Sequence, residues 1–411
     1  MPDVVSAALP WITVPIGLVL IILVMVDVFL TVLHVQVESP ISNRLNRGVW
    51  RMLLAICRPL PVRLRDELLG WGAPLMIAGI LMFWCILSVI GFGLLYAPYI
   101  HRPDVFTFSD IPQSNQFADA LYFSAISFFT IGYGDITPLH PIARLLGVLQ
   151  GAAGLVTLSL SVTYLLSVYP LISRKVGLAE ALNQETGGRA DGVILAKRYV
   201  RTGRYEALAQ RLITINDDLL RLGQAHGLYP VLYYVRHREV HHSFVRILAI
   251  VQGIVATLRY GLDPDEYAEV VEDPRLAILE EGLLATLHML AASSHLAPQG
   301  HAPEDPETAR RDHHQLTVAL RQHGLAIAPA TNRRSWRGHA RFRTATDHYI
   351  RAYADNAGYD VSAVTAVYSR WARDTALVGH AELDANADQD TPEALGVGIG
   401  GRPAPSARRP A

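Results

Sequence analysis

Thr130-Ile131-Gly132-Tyr133-Gly134-Asp135 is the stretch whose residue types and spacing suit a definite piece of chemistry. A cation stripped of its water needs oxygens at similar distances, and backbone carbonyls turned to one side supply them. Turning successive carbonyls the same way demands backbone angles that a Cβ resists, so Gly132 and Gly134 are apt where they stand. The carbonyls of Thr130, Ile131, Gly132 and Tyr133, with the Thr130 hydroxyl below them, would form the ion sites. Tyr133 would turn its ring outward and pack behind this strand, and Asp135 would add negative charge at the outer mouth. Encircling an ion takes about four such strands, which implies a tetramer. Gly-Tyr-Gly-Asp alone also reads as a turn. The full hexad, preceded by a short apolar helix and flanked by two apolar segments, is far more specific.

Those six residues resemble the signature of the potassium channels, in the simple prokaryotic layout of outer helix, pore loop and inner helix. The resemblance covers roughly Pro74 to Pro170. It implies a homotetramer with K+ as the permeant ion and a selectivity filter at Thr130 to Gly134. It also implies a pore helix at Phe117 to Phe129 and a hinge glycine at Gly154. Two positions depart from the family. The place before the filter threonine usually holds a second Thr and here holds Phe129, and a position behind the filter that often holds a carboxylate or small apolar residue is Ile126. Both departures bear on the hydrogen bonding behind the filter.

The elements that must position the hexad are apolar spans. Hydrophobic residues make up 51% of the 411, an excess that lies in the first 170 positions and points to a membrane. Ile12 to Leu33 is long enough to cross a bilayer as a helix. With no Lys or Arg before it, and too long an apolar run, it does not read as a secretory signal. Asp27, Thr31 and His34 share one face of this helix, and an ionisable group at that depth faces protein or water rather than lipid. Asp27 and His34 form either a proton-sensitive pair or a static polar contact. Glu38 to Trp71 holds Arg44, Arg47, Arg51, Arg58, Arg63 and Arg65 against three acidic residues, which makes it a cytoplasmic connection. Its middle, Val49 to Leu54, mixes apolar and Arg residues as an interfacial helix does.

Orientation follows: the N-terminus is outside, Leu75 to Leu95 returns outward, Pro98 to Gln116 is an outer loop, and Asp135 faces outside. Ile142 to Val168 is the inner helix, ended by Pro170. Gly147, Gly151 and Gly154 have the small-residue spacing that lets helices pack closely, here on the outer helix. If Gly154 faces the axis, Leu158, Val162 and Leu166 follow at i+4 steps and would close an apolar gate by dewetting. One residue earlier in phase, Thr157 and Ser161 would line the cavity. No span carries Arg at every third position, so voltage sensing of that kind is not expected.

After Ser173-Arg174-Lys175 the chain reads as helices of 3.6-residue period. They fall at Asp191 to Gln224, Pro230 to Tyr260, Asp265 to His295, Pro306 to His323, and two within Thr344 to Arg373. Phe244 to Leu258 is apolar but short and holds Arg246 and Gln252, so it reads as a buried soluble helix. Pro298 to Pro306 is a linker, and Glu382 to Ala411 reads as disordered. The cluster Gly396 to Gly401 lacks the strand and helix that a nucleotide-binding turn needs. His237, His241 and His242 have zinc-like spacing but no recognisable third ligand, and a solvated face is the simpler reading for them and for His313 and His314. Arg333, Arg334, Arg337, Arg341 and Arg343 with Trp336 read as a solvated loop or a lipid contact. Cys57 and Cys85 fall on opposite sides of a membrane boundary, which argues against a disulfide.

The expectation is therefore an all-α membrane protein. Residues 1–36 form an outer terminus and first span, 37–72 a basic linker, 73–171 the potassium-channel pore domain, 172–381 a helical cytoplasmic domain, and 382–411 a tail. It would conduct K+ passively across the plasma membrane as a homotetramer in the lipid bilayer. No enzyme activity, cofactor, metal or nucleic acid is expected, the last because net charge is near zero. The gating partner would be an unidentified cytoplasmic regulator. The alternatives are a poorly selective cation pore and a membrane-anchored signalling protein whose pore conducts weakly.

Overall fold

The structure, a computed structural model, describes residues 2–32, 41–109, 113–292, 306–328, 333–361 and 364. His34, the glycine cluster at 396–401 and the tail expected at 382–411 lie outside these residues, as does most of the linker expected at 298–306.

Among the described residues, four helical stretches are long and apolar enough to cross a membrane: Pro10–Val32, Arg63–Tyr96, Pro141–Glu185 and Phe244–Gly261. The fourth is set apart by its surroundings, because 89% of its most apolar stretch is buried inside the protein, against 22% to 39% for the other three. It is a core helix of the C-terminal body, as its Arg246 and Gln252 suggest.

Helix α1 (Pro2–Val32) packs along α4 (Gly72–Tyr96). Their backbones meet at Gly17 and Gly91, where a Cβ on Gly17 would stand 2.5 Å from the Gly91 carbonyl oxygen. Small residues at such a crossing replace side-chain bulk with direct backbone contact, the usual solution between helices in lipid. Lower on the same interface, the buried Asp27 carboxylate accepts hydrogen bonds from Trp84 Nε1 at 2.9 Å and Ser42 Oγ at 2.5 Å. It also accepts from the Ile41 amide at 3.2 Å. Asp27 thus stitches α1 to α4 and to the start of α2 (Ser42–Cys57), a polar contact between helices.

The Arg-rich connection is two helices, α2 and α3 (Val62–Gly70), and their inner sides dock on the C-terminal body. Trp50 Nε1 donates to the Asn356 carbonyl at 2.8 Å, and its ring lies 5.5 Å from Tyr234. Asp66 pairs at 2.6 Å with the buried Arg236, whose guanidinium also donates to the carbonyls of Ala357 and Gly358. Met52, Ile56, Leu64 and Leu68 remain on the exposed side.

Between α4 and the next long helix lie β1 (Phe106–Phe108), α5 (Gln116–Phe128) and β2 (Ile136–Pro138). The outer loop is more ordered than its polar sequence suggests, since β1 and β2 form an antiparallel ribbon with Thr107 opposite Thr137. Tyr96, Phe106 and Phe123 stack edge-on beneath it, with centroids 4.9 to 5.9 Å apart.

Helix α6 (Pro141–Glu185) is 45 residues long and overturns the expectation that Pro170 ends the inner helix. Proline removes one helical hydrogen bond. Packing offsets that loss: Lys175, Leu178, Ala179 and Leu182 are buried against the C-terminal body, and Lys175 Nζ donates to the Val235 carbonyl at 3.0 Å.

The C-terminal body is helical. The segment expected as one helix from Asp191 divides into α7 (Val193–Tyr199) and α8 (Tyr205–Leu228), with Gly203 between them at a φ of +68° that other residues resist. Likewise, Pro230–Tyr234 is a 3-10 turn rather than the start of the next helix, and α9 (Phe244–Val255) begins only where the Ser243 hydroxyl accepts from the Arg246 amide at 3.2 Å. Helix α9 continues as a π turn through Gly261 and is enclosed by α10 (Ala268–Val271), α11 (Pro274–Ala292), α12 (Pro306–Gln322) and α13 (Arg333–Asn356). The Arg-rich stretch near Trp336 is this α13, not a loop. Arg343 is buried in it because Asp347, one turn on, pairs with it at 3.2 Å.

His226, buried on α8, stacks at 4.3 Å on Phe244. Its Nδ1 lies 2.7 Å from the Leu222 carbonyl, and its buried Nε2 has no hydrogen-bond partner among the described residues. A second proton would have to sit there unpaired, so burial pushes this imidazole down from 6.5 to about 3. In that window the unfolded chain binds the proton and the folded chain does not, so stability falls as pH drops from 6.5 toward about 3. The loss is on the order of 1.4 kcal/mol per pH unit within the window. Thermal unfolding of the chain at about pH 7 and about pH 5 measures it, and His226→Leu is expected to flatten the dependence.

Candidate functional site

The hexad leaves the C-terminal end of α5. Helix α5 starts cleanly because the Asn115 side chain accepts from the Phe117 amide at 2.9 Å. Asp119 in its first turn is held by His101 Nε2 at 2.7 Å and by the Ser114 amide at 2.9 Å. Its buried face, with Ala120, Phe123 and Ser124, docks on α4, and the Ser124 hydroxyl donates to the Val89 carbonyl at 2.7 Å. The end of α5 is therefore a fixed platform.

From that platform the backbone takes an alternating course. Thr130, Gly132 and Gly134 have φ of +57°, +62° and +81°, while Ile131 and Tyr133 between them do not have positive φ. In an ordinary strand successive carbonyls point to opposite sides; reversing the sign of φ at every second residue brings them to the same side. Among the described residues Thr130 is the one non-glycine with positive φ. A β-branched residue resists this conformation by about 1–2 kcal/mol, and such strain concentrates at functional sites. The amides of Ile131 and Gly132 both donate to the Ile126 carbonyl, at 2.8 and 3.3 Å, and so cannot compete for the strand's own carbonyls.

Asp135 closes the strand. Its carboxylate accepts from Tyr122 OH at 2.6 Å and from the Ile136 amide at 3.0 Å, and its carbonyl accepts from the Ser109 amide at 2.8 Å. Tyr122 is a residue the sequence reading passed over. Its signal was slight, a hydroxyl between Leu121 and Phe123 on a helix that also carries Asp119 and Ser124. Phe129, the departure before Thr130, caps α5 with its ring 5.3 Å from Phe128, so an aromatic contact stands where the family places a hydroxyl.

Helix α6 supports the platform from below. Gly154 lies directly against Phe128, and a Cβ there would stand 2.0 Å from the Phe128 carbonyl oxygen. Gly151 is looser, at 3.7 Å from the Ser127 oxygen, and a Cβ on Gly147 meets nothing within 4 Å. The close crossing is thus with α5 rather than with the outer helix, and it rests on one glycine of the three. Gln150, fully buried, adds a polar tie by donating to the Ser124 carbonyl and hydroxyl at 2.8 and 2.7 Å. Thr157 and Ser161 are buried and bond back to carbonyls of their own helix. Leu158, Val162 and Leu166 are exposed on the single chain.

Much apolar surface around the hexad is uncovered. Tyr133 is 71% exposed and Ile131 52%, and Val148, Leu149 and Leu155 on α6 are more than half exposed. Contiguous apolar exposure on this scale marks contact with lipid or with protein.

Of the histidines, His313 is engaged within the fold, with Nε2 3.0 Å from the Tyr260 carbonyl and 3.2 Å from Ser335 Oγ. His241 and His242 are brought together with Glu180 of α6, and the ligand atoms of the three lie within 4.8 Å of one another. This is the third partner the local spacing lacked.

Comparison with known proteins agrees with this geometry. Residues 77–169 match the ion channel family model. An uncharacterized membrane protein of Bacillus subtilis, YdjJ, is 25% identical over 298 residues, covering 72% of this chain and 82% of the relative. The potassium voltage-gated channel subfamily A member 10 of Gallus gallus is 26% identical over 153 residues, 37% of this chain, which spans 25% of that channel's length. No solved structure matches significantly. The matched segment runs from α4 through the hexad into α6, so the chain is a nearly all-helical membrane protein, with the β1–β2 ribbon as the exception, and residues 77–169 form its ion-channel pore domain.

Proposed function

We propose that four copies of this chain form a potassium-selective channel that conducts K+ passively across the plasma membrane. The observation that carries this is the alternation of backbone sign at Thr130, Gly132 and Gly134, on a strand held by α5 and continuous with a segment that matches ion channels. Four such strands around an axis would present rings of carbonyls that replace the hydration shell of K+. The exposed side chains of Ile131 and Tyr133 would then face neighbouring subunits. Helix α5 aims its C-terminal end, with its partial negative charge, toward the ion. In this reading Asp135 lies at the outer mouth, Gly154 is the point about which α6 bends, and Leu158, Val162 and Leu166 form the inner gate. The basic connection and the C-terminal body are cytoplasmic.

The test is flux of K+ and Na+ through purified protein in liposomes, with Gly132→Ala as control. Within the single chain, among the described residues, a Cβ on Gly132 meets nothing within 4 Å, and its φ of +62° makes the substitution act on the backbone angle. Potassium-selective flux that is lost in Gly132→Ala is the expected result. Equal passage of the two ions would overturn the selectivity, and flux unchanged by the substitution would overturn the filter assignment.

A further inference from the structure

We propose that Glu180, His241 and His242 bind one divalent transition-metal ion of the zinc type, which ties α6 to the C-terminal body. His241 and His242 occupy the 3-10 turn Val240–His242 that leads into α9, and Glu180 lies near the far end of α6. His242 Nε2 is 3.4 Å from Glu180 Oε2, and His241 Nε2 is 3.7 Å from the same oxygen. In a tetrahedral zinc site with bonds of about 2.0–2.1 Å, neighbouring ligand atoms are about 3.3 Å apart. Each imidazole already stands at nearly that spacing from Glu180, and the three ligand atoms all lie within 4.8 Å of one another.

The surroundings suit ligation. Glu180 Oε1 is occupied by Gln184 Nε2 at 2.8 Å, which leaves Oε2 turned to the rings. Behind His242, Glu239 Oε2 lies 3.6 Å from Nδ1, the place where a carboxylate orients a metal-binding imidazole. The same carboxylate is 3.1 Å from His241 Nε2, on the side where the ion would sit. Two imidazoles and one carboxylate favour zinc and its neighbours over calcium and magnesium. All of these groups are partly open to solvent, which gives the ion access and leaves a fourth position for water.

The ion would act on a joint. Glu180 belongs to the helix that passes the hexad, and the histidines belong to the body, so one ion restrains each against the other. The site does not depend on which ion the pore selects.

The experiment uses the full chain in detergent, stripped with a chelator and titrated with Zn2+ alone by calorimetry, while Co2+ reports geometry through its visible absorption. The wild type is expected to bind one more ion per chain than His241→Ala, with the intense bands of tetrahedral cobalt. Glu180→Gln is expected to weaken that site at least tenfold with an unchanged melting temperature. Zn2+ is also expected to slow hydrogen exchange over residues 176–182 and 238–244 in the wild type and not in His241→Ala. Equal stoichiometry and affinity in wild type and both variants would overturn the site. Binding at the site without slower exchange would overturn its role as a tie.

Discussion

Gly154→Ala is expected to abolish ion flux, whereas Gly151→Ala, one turn earlier, is expected to retain most of it. The difference lies in what a methyl group meets. At Gly154 the added Cβ would sit 2.0 Å from the Phe128 carbonyl oxygen and 2.9 Å from its carbon, and neither is a flexible side chain that can swing aside. At Gly151 the nearest atom is 3.7 Å away, an ordinary contact. Overpacking against a rigid neighbour costs about 1–3 kcal/mol, sometimes more. Here the displaced group is the residue from which Phe129 and Thr130 hang, so α5 can yield only by moving the strand that follows it. Liposome flux of the two variants, with oligomer content read by cross-linking, decides it. Full flux in Gly154→Ala would show that α6 does not set the position of the strand.

The second large effect is expected from Arg343→Leu, which should destabilise the C-terminal body by about 3 kcal/mol or more. Arg343 is 5% exposed and holds together three helices. Its guanidinium donates to Gln252 Oε1 on α9 at 2.9 Å and pairs with Asp347 on α13 at 3.2 Å and Asp312 on α12 at 3.4 Å. Gln252 in turn donates to Thr346 Oγ1 and Asp347 Oδ1 at 2.6 and 2.9 Å. Removing one partner from a buried ion pair costs about 3–5 kcal/mol, because the other charge stays behind without compensation. The expected loss sits at the lower end, since Asp347 keeps Arg351 at 3.0 Å, on a side chain 41% exposed. Replacing both removes the more deeply buried stranded charge and leaves the more exposed Asp312, so Arg343→Leu with Asp347→Leu should recover part of the loss. Thermal melts of wild type, single and double variants provide the measurement. A single variant as stable as the wild type would mean that the network orders side chains without contributing stability.

What the sequence made legible follows from distance along the chain. The hexad, the short helix before it and the flanking spans are local patterns, and each could be read from neighbouring residues alone. Asp27 was legible too, because a carboxylate within an apolar span must find partners, and Trp84 and Ser42 are those partners. Long-range packing was not legible. Pro170 reads as a stop until the buried face of Lys175 to Leu182 is seen to carry the helix through it. The arginines of α13 read as solvated until Asp347 and Asp312 are found beside Arg343. His241 and His242 lacked a third ligand because Glu180 reaches them only through the fold. The fixing of the outer loop by the ribbon was missed for a related reason, since neither three-residue strand has a periodicity of its own.

The unbroken course of α6 has one more consequence. A helix turns about 100° and rises about 1.5 Å with each residue. Because α6 runs 45 residues from beside the hexad to the histidine turn, the two ends share one angular phase. A single residue inserted between Lys175 and Leu178 would not simply lengthen a connection. It would swing the whole C-terminal body about a quarter of a revolution around the helix axis and carry Lys175 away from Val235. The joint between membrane and body is therefore a shaft, which passes rotation as readily as pull.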